Sequence, residues 1–225
     1  TINFTAFQSR YGHTQTTLHD GRLVVTGGLY YTRLVGGYLV DPPIAYYLKD
    51  IQISSNGVIW SPMTSSAAWS GRSGHSFAES YDNSTYYVYG GSNAGGPLSD
   101  FWSSPDLITW TLVNASTGYP GEGAIIIPQP TGSIIKLDGW GGTNMSVSYD
   151  GGKLWEVVNT SAVSQMNTAS YNRNGAIYEV QYNDTRVWSP TYATDQNPAH
   201  TYTTTGNFTP ILMVTGPSGS SNTST

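Results

Sequence analysis

Two stretches of the chain, 62 residues apart, read almost alike. The first runs Arg10-Tyr-Gly-His13, then Leu23-Val-Val-Thr-Gly27-Gly28, then Asp50, then Ser54-Ser-Asn-Gly-Val-Ile-Trp60. The second runs Arg72-Ser-Gly-His75, then Tyr86-Tyr-Val-Tyr-Gly90-Gly91, then Asp100, then Ser103-Ser-Pro-Asp-Leu-Ile-Thr-Trp110. A fixed period of this size is the mark of a stacked or radial repeat architecture. Residues that recur at the same place in each unit belong to scaffold, so function is sought in what does not recur.

Weaker copies follow. A third reads Ile134-Ile-Lys-Leu-Asp-Gly-Trp-Gly141-Gly142, then Ser148-Tyr-Asp150-Gly-Gly152-Lys-Leu-Trp155. A fourth, Asn174-Gly-Ala-Ile-Tyr-Glu-Val-Gln-Tyr with Val187-Trp188, has lost the glycine pair, and a fifth start is read at His200, leading to Ile211–Gly216. Apolar and aromatic runs such as Leu23-Val-Val and Tyr86-Tyr-Val-Tyr suit strands, where such side chains fit the pleat. The paired glycines suit strand ends where backbones crowd.

This unit resembles the kelch motif of β-propellers, over most of residues 10–190. Ser148-x-Asp150-x-Gly152-x-x-Trp155 resembles the Asp-box, a hairpin turn of sialidases and many other propellers, which is a folding device. The resemblance implies an all-β, kelch-like β-propeller of about four to five blades at about 40–50 residues per blade. Residues 1–215 form the propeller in this reading, and the Gly/Ser/Thr-rich segment 216–225 is a linker or stalk. Ile2–Phe7 and Phe208–Val214 read as strands, which either pair to close the ring or add to another chain. Thr1 falls inside a β-like segment, which predicts a processed or trimmed form.

Composition narrows the function. Charged residues make up only 10% of the chain, the net charge is −5, and no basic run is present. Nucleic acid and anionic membranes are therefore unexpected partners. No apolar run is long enough to span a bilayer as a helix. There is no cysteine, which excludes disulfides, thiolate metal sites and cysteine nucleophiles.

Eight Asn-x-Ser/Thr sequons stand at Asn3, Asn83, Asn114, Asn144, Asn159, Asn183, Asn207 and Asn222. The chain's Asn, Ser and Thr content would produce about three by chance. The excess predicts an N-glycosylated, extracellular or cell-surface chain, with glycans supplying the solubility that charge does not.

Chemistry is harder to find. The resemblance to kelch-type copper-radical oxidases implies a tyrosine cross-linked to cysteine, which this chain cannot form. The resemblance to sialidases implies an arginine triad. Of Arg10, Arg22, Arg33, Arg72, Arg173 and Arg186, the first and fourth share a repeat position and read as scaffold. His13 and His75 repeat each other and read as structural; no zinc spacing or nucleophile elbow appears. The expectation is no catalytic residue, no metal site and no cofactor.

One segment does not recur. Twenty-one residues separate Gly28 from Asp50, against eight between Gly91 and Asp100. The extra residues include Tyr30, Tyr31, Tyr38, Tyr46 and Tyr47, read as an interaction loop. The sequence as a whole predicts a structural or adhesive module that self-associates into an oligomer or filament. A carbohydrate-binding propeller is the alternative, and a glycan-processing enzyme a more distant one.

Overall fold

The computed structural model describes residues 8–35, 38–118, 121–139 and 142–159, with the strand backbones at 169–173, 176–181, 184–188, 211–216 and 219–224. It divides into Thr1–Pro190 and Thr191–Thr225. All of its regular structure is β, in antiparallel sheets.

Three four-stranded sheets lie in the first unit, each with its strands in chain order. The first holds β1 (Thr14–Thr17) and β2 (Leu23–Thr26). After β2 the chain leaves as a hairpin, β3 (Leu29–Val35) and β4 (Tyr38–Tyr47). It returns as β5 (Ile51–Ser54) and β6 (Ser61–Thr64), completing the order β1-β2-β5-β6.

The second sheet repeats this plan with β7 (Ser76–Glu79) and β8 (Tyr86–Tyr89), a small hairpin of β9 (Ser92–Asn93) and β10 (Gly96–Pro97), then β11 (Phe101–Ser104) and β12 (Thr111–Asn114). The third holds β13 (Ile125–Pro128), β14 (Ile134–Leu137), β15 (Met145–Ser148) and β16 (Glu156–Asn159). Three further strands, β17 (Ala169–Arg173), β18 (Ala176–Gln181) and β19 (Asp184–Trp188), form a sheet of their own.

The second unit contains one hairpin, β20 (Ile211–Gly216) on β21 (Gly219–Ser224). Its second strand occupies most of the segment that composition presents as a stalk. Ile2–Phe7 lies outside the described residues, and β20 takes its partner from β21. No closed ring of sheets is identified among the described residues.

Register fixes the equivalences. Leu23 faces Ser54, Tyr86 faces Ser104 and Ile134 faces Ser148, each at the same point of its sheet. Thr26, Tyr89 and Leu137 are therefore equivalent strand ends. Gly27-Gly28 and Gly90-Gly91 follow the first two, as the repeat predicts, but Asp138-Gly139 follows the third. The expectation that Gly141-Gly142 fills this place is corrected.

The space around each glycine can be compared directly. A Cβ on Gly28 would press on His13 and the Tyr11 carbonyl, and one on Gly139 on Glu122 and Ala124. The second glycine is thus required in both of these sheets; the first is crowded too, by the Arg72 carbonyl at Gly27 and the Gly121 carbonyl at Gly90, and only the third sheet carries a side chain there, Asp138. The same alignment sets Gly121-Glu-Gly-Ala124 against Arg72-Ser-Gly-His75, so the third copy has lost both the arginine and the histidine.

Backbone bonds between consecutive sheets repeat as well. The Gly28 amide donates to the Arg72 carbonyl at 2.8 Å, and the Gly91 amide to the Gly121 carbonyl at 2.8 Å. The Gly74 amide donates to Gly12 at 2.7 Å, and the Gly123 amide to Gly74 at 2.8 Å. Two apolar layers fill the spaces between sheets. Tyr86 and Val88 of β8 join Val24, Ile51, Trp69 and Leu107 in one, while Tyr87 and Tyr89 join Phe101, Ile126 and Ile134 in the other. Burial on both faces is why β8 is apolar along its whole length.

Candidate interaction surface

The repeated polar residues hold the sheets. Arg72 is fully buried and grips Asp100 with both terminal nitrogens at 2.7 Å, while also donating to the Gly90 carbonyl at 2.9 Å. Arg10 does the same with Asp50, at 2.6 and 2.9 Å, and with the Gly27 carbonyl. Burial alone would raise the Asp100 carboxyl, but the Arg72 hydrogen bonds outweigh it and hold it below the usual carboxylate range. These arginines are scaffold, as their repetition implies. His75 bonds the Thr26 hydroxyl of the preceding sheet at 2.7 Å. It therefore ties two sheets together.

Three turns share one construction. Ser54, Ser104 and Ser148 each accept a backbone N–H from the turn that follows. Asn56, Asp106 and Asp150 each accept two more through Oδ1. Trp60, Trp110 and Trp155 each donate the indole N–H to a turn carbonyl. The Asp-box-like turn, recognised at Ser148–Trp155, is thus present three times. The first two went unrecognised because they are one residue shorter from Ser to Trp.

In the third sheet, Lys136 stands where the others carry Val25 and Val88. Its ammonium donates to the Thr117 carbonyl and hydroxyl at 3.1 and 3.2 Å, and lies 5.4 Å from the Tyr89 and Trp155 rings. Asp138 is 3.9 Å away, and both side chains are 1% exposed. Burial lowers the lysine's pKa and raises the aspartate's. The pair is enclosed, so no substrate reaches it in this arrangement. Among the described residues, no group of three or more His, Asp or Glu could hold a metal ion.

The segment read as an interaction loop is the β3–β4 hairpin. Its base repeats that of β9–β10: the Leu48 amide donates to Gly28, as Leu98 does to Gly91. Tyr30 and Tyr46 face each other across the ladder with rings stacked at 5.2 Å. Tyr31 stacks instead on Tyr11, at 5.5 Å, a residue the sequence reading missed. Tyr38 is 79% exposed and Tyr31 53%; Tyr47 lies half-buried at the base, opposite Leu29. Val35 and Ile44 add exposed apolar area. Arg33 and Asp41 pair at 3.6 Å in open solvent, a contact worth little. Pro42 and Pro43 lie in β4 and bring no backbone donors, so this strand is a poor template for strand addition. The arm offers side-chain faces instead.

Among the sequons, Asn83 is exposed in the β7–β8 turn with φ of 61°, and its backbone amide donates to the Ser80 carbonyl at 3.0 Å. Asn114 is half-buried and donates Nδ2 to the Lys153 carbonyl at 2.8 Å. Asn144 occupies the place that Asp50 and Asp100 hold in the other sheets and bonds Asp138 through its backbone. Asn159 ends β16 and Asn222 lies in β21. Asn3, Asn183 and Asn207 lie outside the described residues.

No protein-family model matches the chain, and no curated protein is significantly similar to it.

Proposed function

We propose that this chain is an extracellular, N-glycosylated structural module, a kelch-like β-propeller that associates with copies of itself through the β3–β4 arm. The observation that carries the reading is the arm, an outgrowth of an otherwise repeated plan that exposes Tyr31, Tyr38, Val35 and Ile44. Aromatic-rich, charge-poor surface is what the centre of a protein interface requires. Sequon excess and low charge support a glycosylated surface around it.

Sedimentation of native material tests the assembly. Weight-average mass should rise with concentration, and Tyr31→Ser with Tyr38→Ser should suppress the rise, at about 1–2 kcal/mol for each ring. A strictly monomeric chain at high concentration would remove the assembly reading. It would favour the second one, in which the Tyr11–Tyr31 stack is a platform for a sugar ring, to be tried on a glycan array.

Glycopeptide mass spectrometry tests the modification. Asn83 should carry glycan and Asn144 should not, since Asn144 stands in a scaffold position. Bare Asn83 together with occupied Asn144 would overturn this assignment.

A further inference from the structure

The three Asp-box-like turns differ at one chemically telling place. Asp106 and Asp150 are carboxylates, whereas the first turn has Asn56, followed by Gly57. The surroundings are otherwise the same. Asn56 Oδ1 accepts the Val58 and Ile59 amides at 2.9 Å each, as Asp106 accepts Ile108 and Thr109 at 2.8 and 2.6 Å. The Asn56 carboxamide nitrogen has no hydrogen-bond partner among the described residues, and the residue is exposed. Nothing in the site requires an amide rather than a carboxylate. A carboxylate would accept the same two N–H groups more strongly, because charge-assisted bonds are the stronger kind.

We propose that Asn56 is a self-modifying site that converts to aspartate in the folded protein, bringing the first turn to the composition of the other two. The Gly57 backbone nitrogen adds to Cγ of Asn56, and no Gly57 side chain stands in the way. The new C–N bond closes a five-membered succinimide. The C–Nδ2 bond breaks, and ammonia leaves with the proton given up by the Gly57 amide. Water then opens the ring.

The two amides on Oδ1 act on both steps. They polarise Cγ=O and stabilise the oxyanion formed when either nitrogen or water adds there, as an oxyanion hole does. Attack of water at Cγ breaks the bond to Gly57 nitrogen on the side-chain path and restores an ordinary backbone. The product is then aspartate rather than isoaspartate. The Ser54 hydroxyl, which accepts the Gly57 N–H at 2.9 Å and lies 3.3 Å from Oδ1, is placed to pass the proton. The new charge would fall in a shallow depression of about 290 Å³ that Asn56 shares with Arg22, Ile53 and Ile59.

The test is peptide mapping of the full chain during incubation at neutral pH, without glycosidase treatment. Asn56 is outside any sequon, so conversion there is separate from that caused by glycan removal. In water labelled with heavy oxygen, the peptide should gain one labelled oxygen at residue 56. The folded chain should convert at least as fast as the free peptide Ser54–Trp60 and give aspartate in excess of isoaspartate. Gly57→Ala should slow conversion severalfold; Ser54→Ala, which keeps the succinimide path open, should slow it less. An amide that persists at Asn56 while the free peptide converts would overturn the proposal, as would isoaspartate as the main product.

Discussion

Gly91→Ala is expected to destabilise the first unit by about 3 kcal/mol or more, combining backbone strain at positive φ with overpacking. Gly91 sits at φ 85°, where an L side chain already crowds its own carbonyl. A Cβ there would stand 2.6 Å from the Ser73 carbonyl oxygen and 2.9 Å from the His75 nitrogen. Both obstacles are backbone, so no rotamer change relieves them. Retreat is blocked on either side: the Ser73 carbonyl accepts the Ser92 amide, and the Gly91 amide itself bonds Gly121 of the next sheet. Gly21→Ala separates strain from crowding. Gly21 has a similar φ of 86° with nothing within 4 Å of its would-be Cβ. That variant should lose only about 1 kcal/mol. Denaturant midpoints of the two variants check the difference, and equal losses would refute the close-approach account.

That requirement shows what a reader of the sequence can and cannot see. The repeat, the strand runs and the glycine pairs at Gly27 and Gly90 were legible, because close backbone approach leaves a residue-type mark. In the third sheet the mark is halved. Asp138 is tolerated at the first position, and the neighbouring Gly141-Gly142 imitates the pattern a few residues late. Only strand register, with Ile134 opposite Ser148, resolves it.

The turns were partly hidden for a different reason. Asn56 can make the same two hydrogen bonds as Asp150, but a spacing shorter by one residue conceals the likeness. A single left-handed residue, Gly57 or Leu107, completes the short turns, whereas the longer one uses Gly151 and Gly152. The tyrosine-rich segment is legible as exceptional, but its hairpin register is not. Its alternation is blurred because both faces of the arm are partly exposed, so polarity does not switch with period two. Tyr11 was missed because its role depends on a ring brought to it from β3.

The second large effect is on acid stability, and it rests on His75. The imidazole is 5% exposed, and burial first, then the Arg72 charge, push its pKa down from 6.5 to about 3. Its Nε2 bonds Thr26, and Nδ1 has no partner, so a second proton would be buried without an acceptor. The folded chain therefore keeps this ring neutral while the unfolded chain protonates it near 6.5. Stability is fully present above that value, falls as pH drops from 6.5 towards 3, and levels once both states are protonated. The full shift corresponds to roughly 5 kcal/mol, of which about 3 should be lost by about pH 4.5. Asp50 and Asp100 add a separate loss at lower pH, because their depressed pKa values withdraw stability only below the ordinary carboxylate range. Denaturant unfolding followed from neutral pH to about pH 4.5 keeps clear of these two carboxylates; His13, lowered by burial, adds a loss of the same sign there and the raised Asp138 an opposing gain, so His75 is read from the difference between variant and parent. His75→Gln, which can still reach Thr26 but cannot take up a proton, should flatten that window even if it lowers stability at neutral pH. If the variant and the parent chain show the same slope between neutral pH and about pH 4.5, the acid sensitivity belongs to other groups and the role given to His75 is wrong.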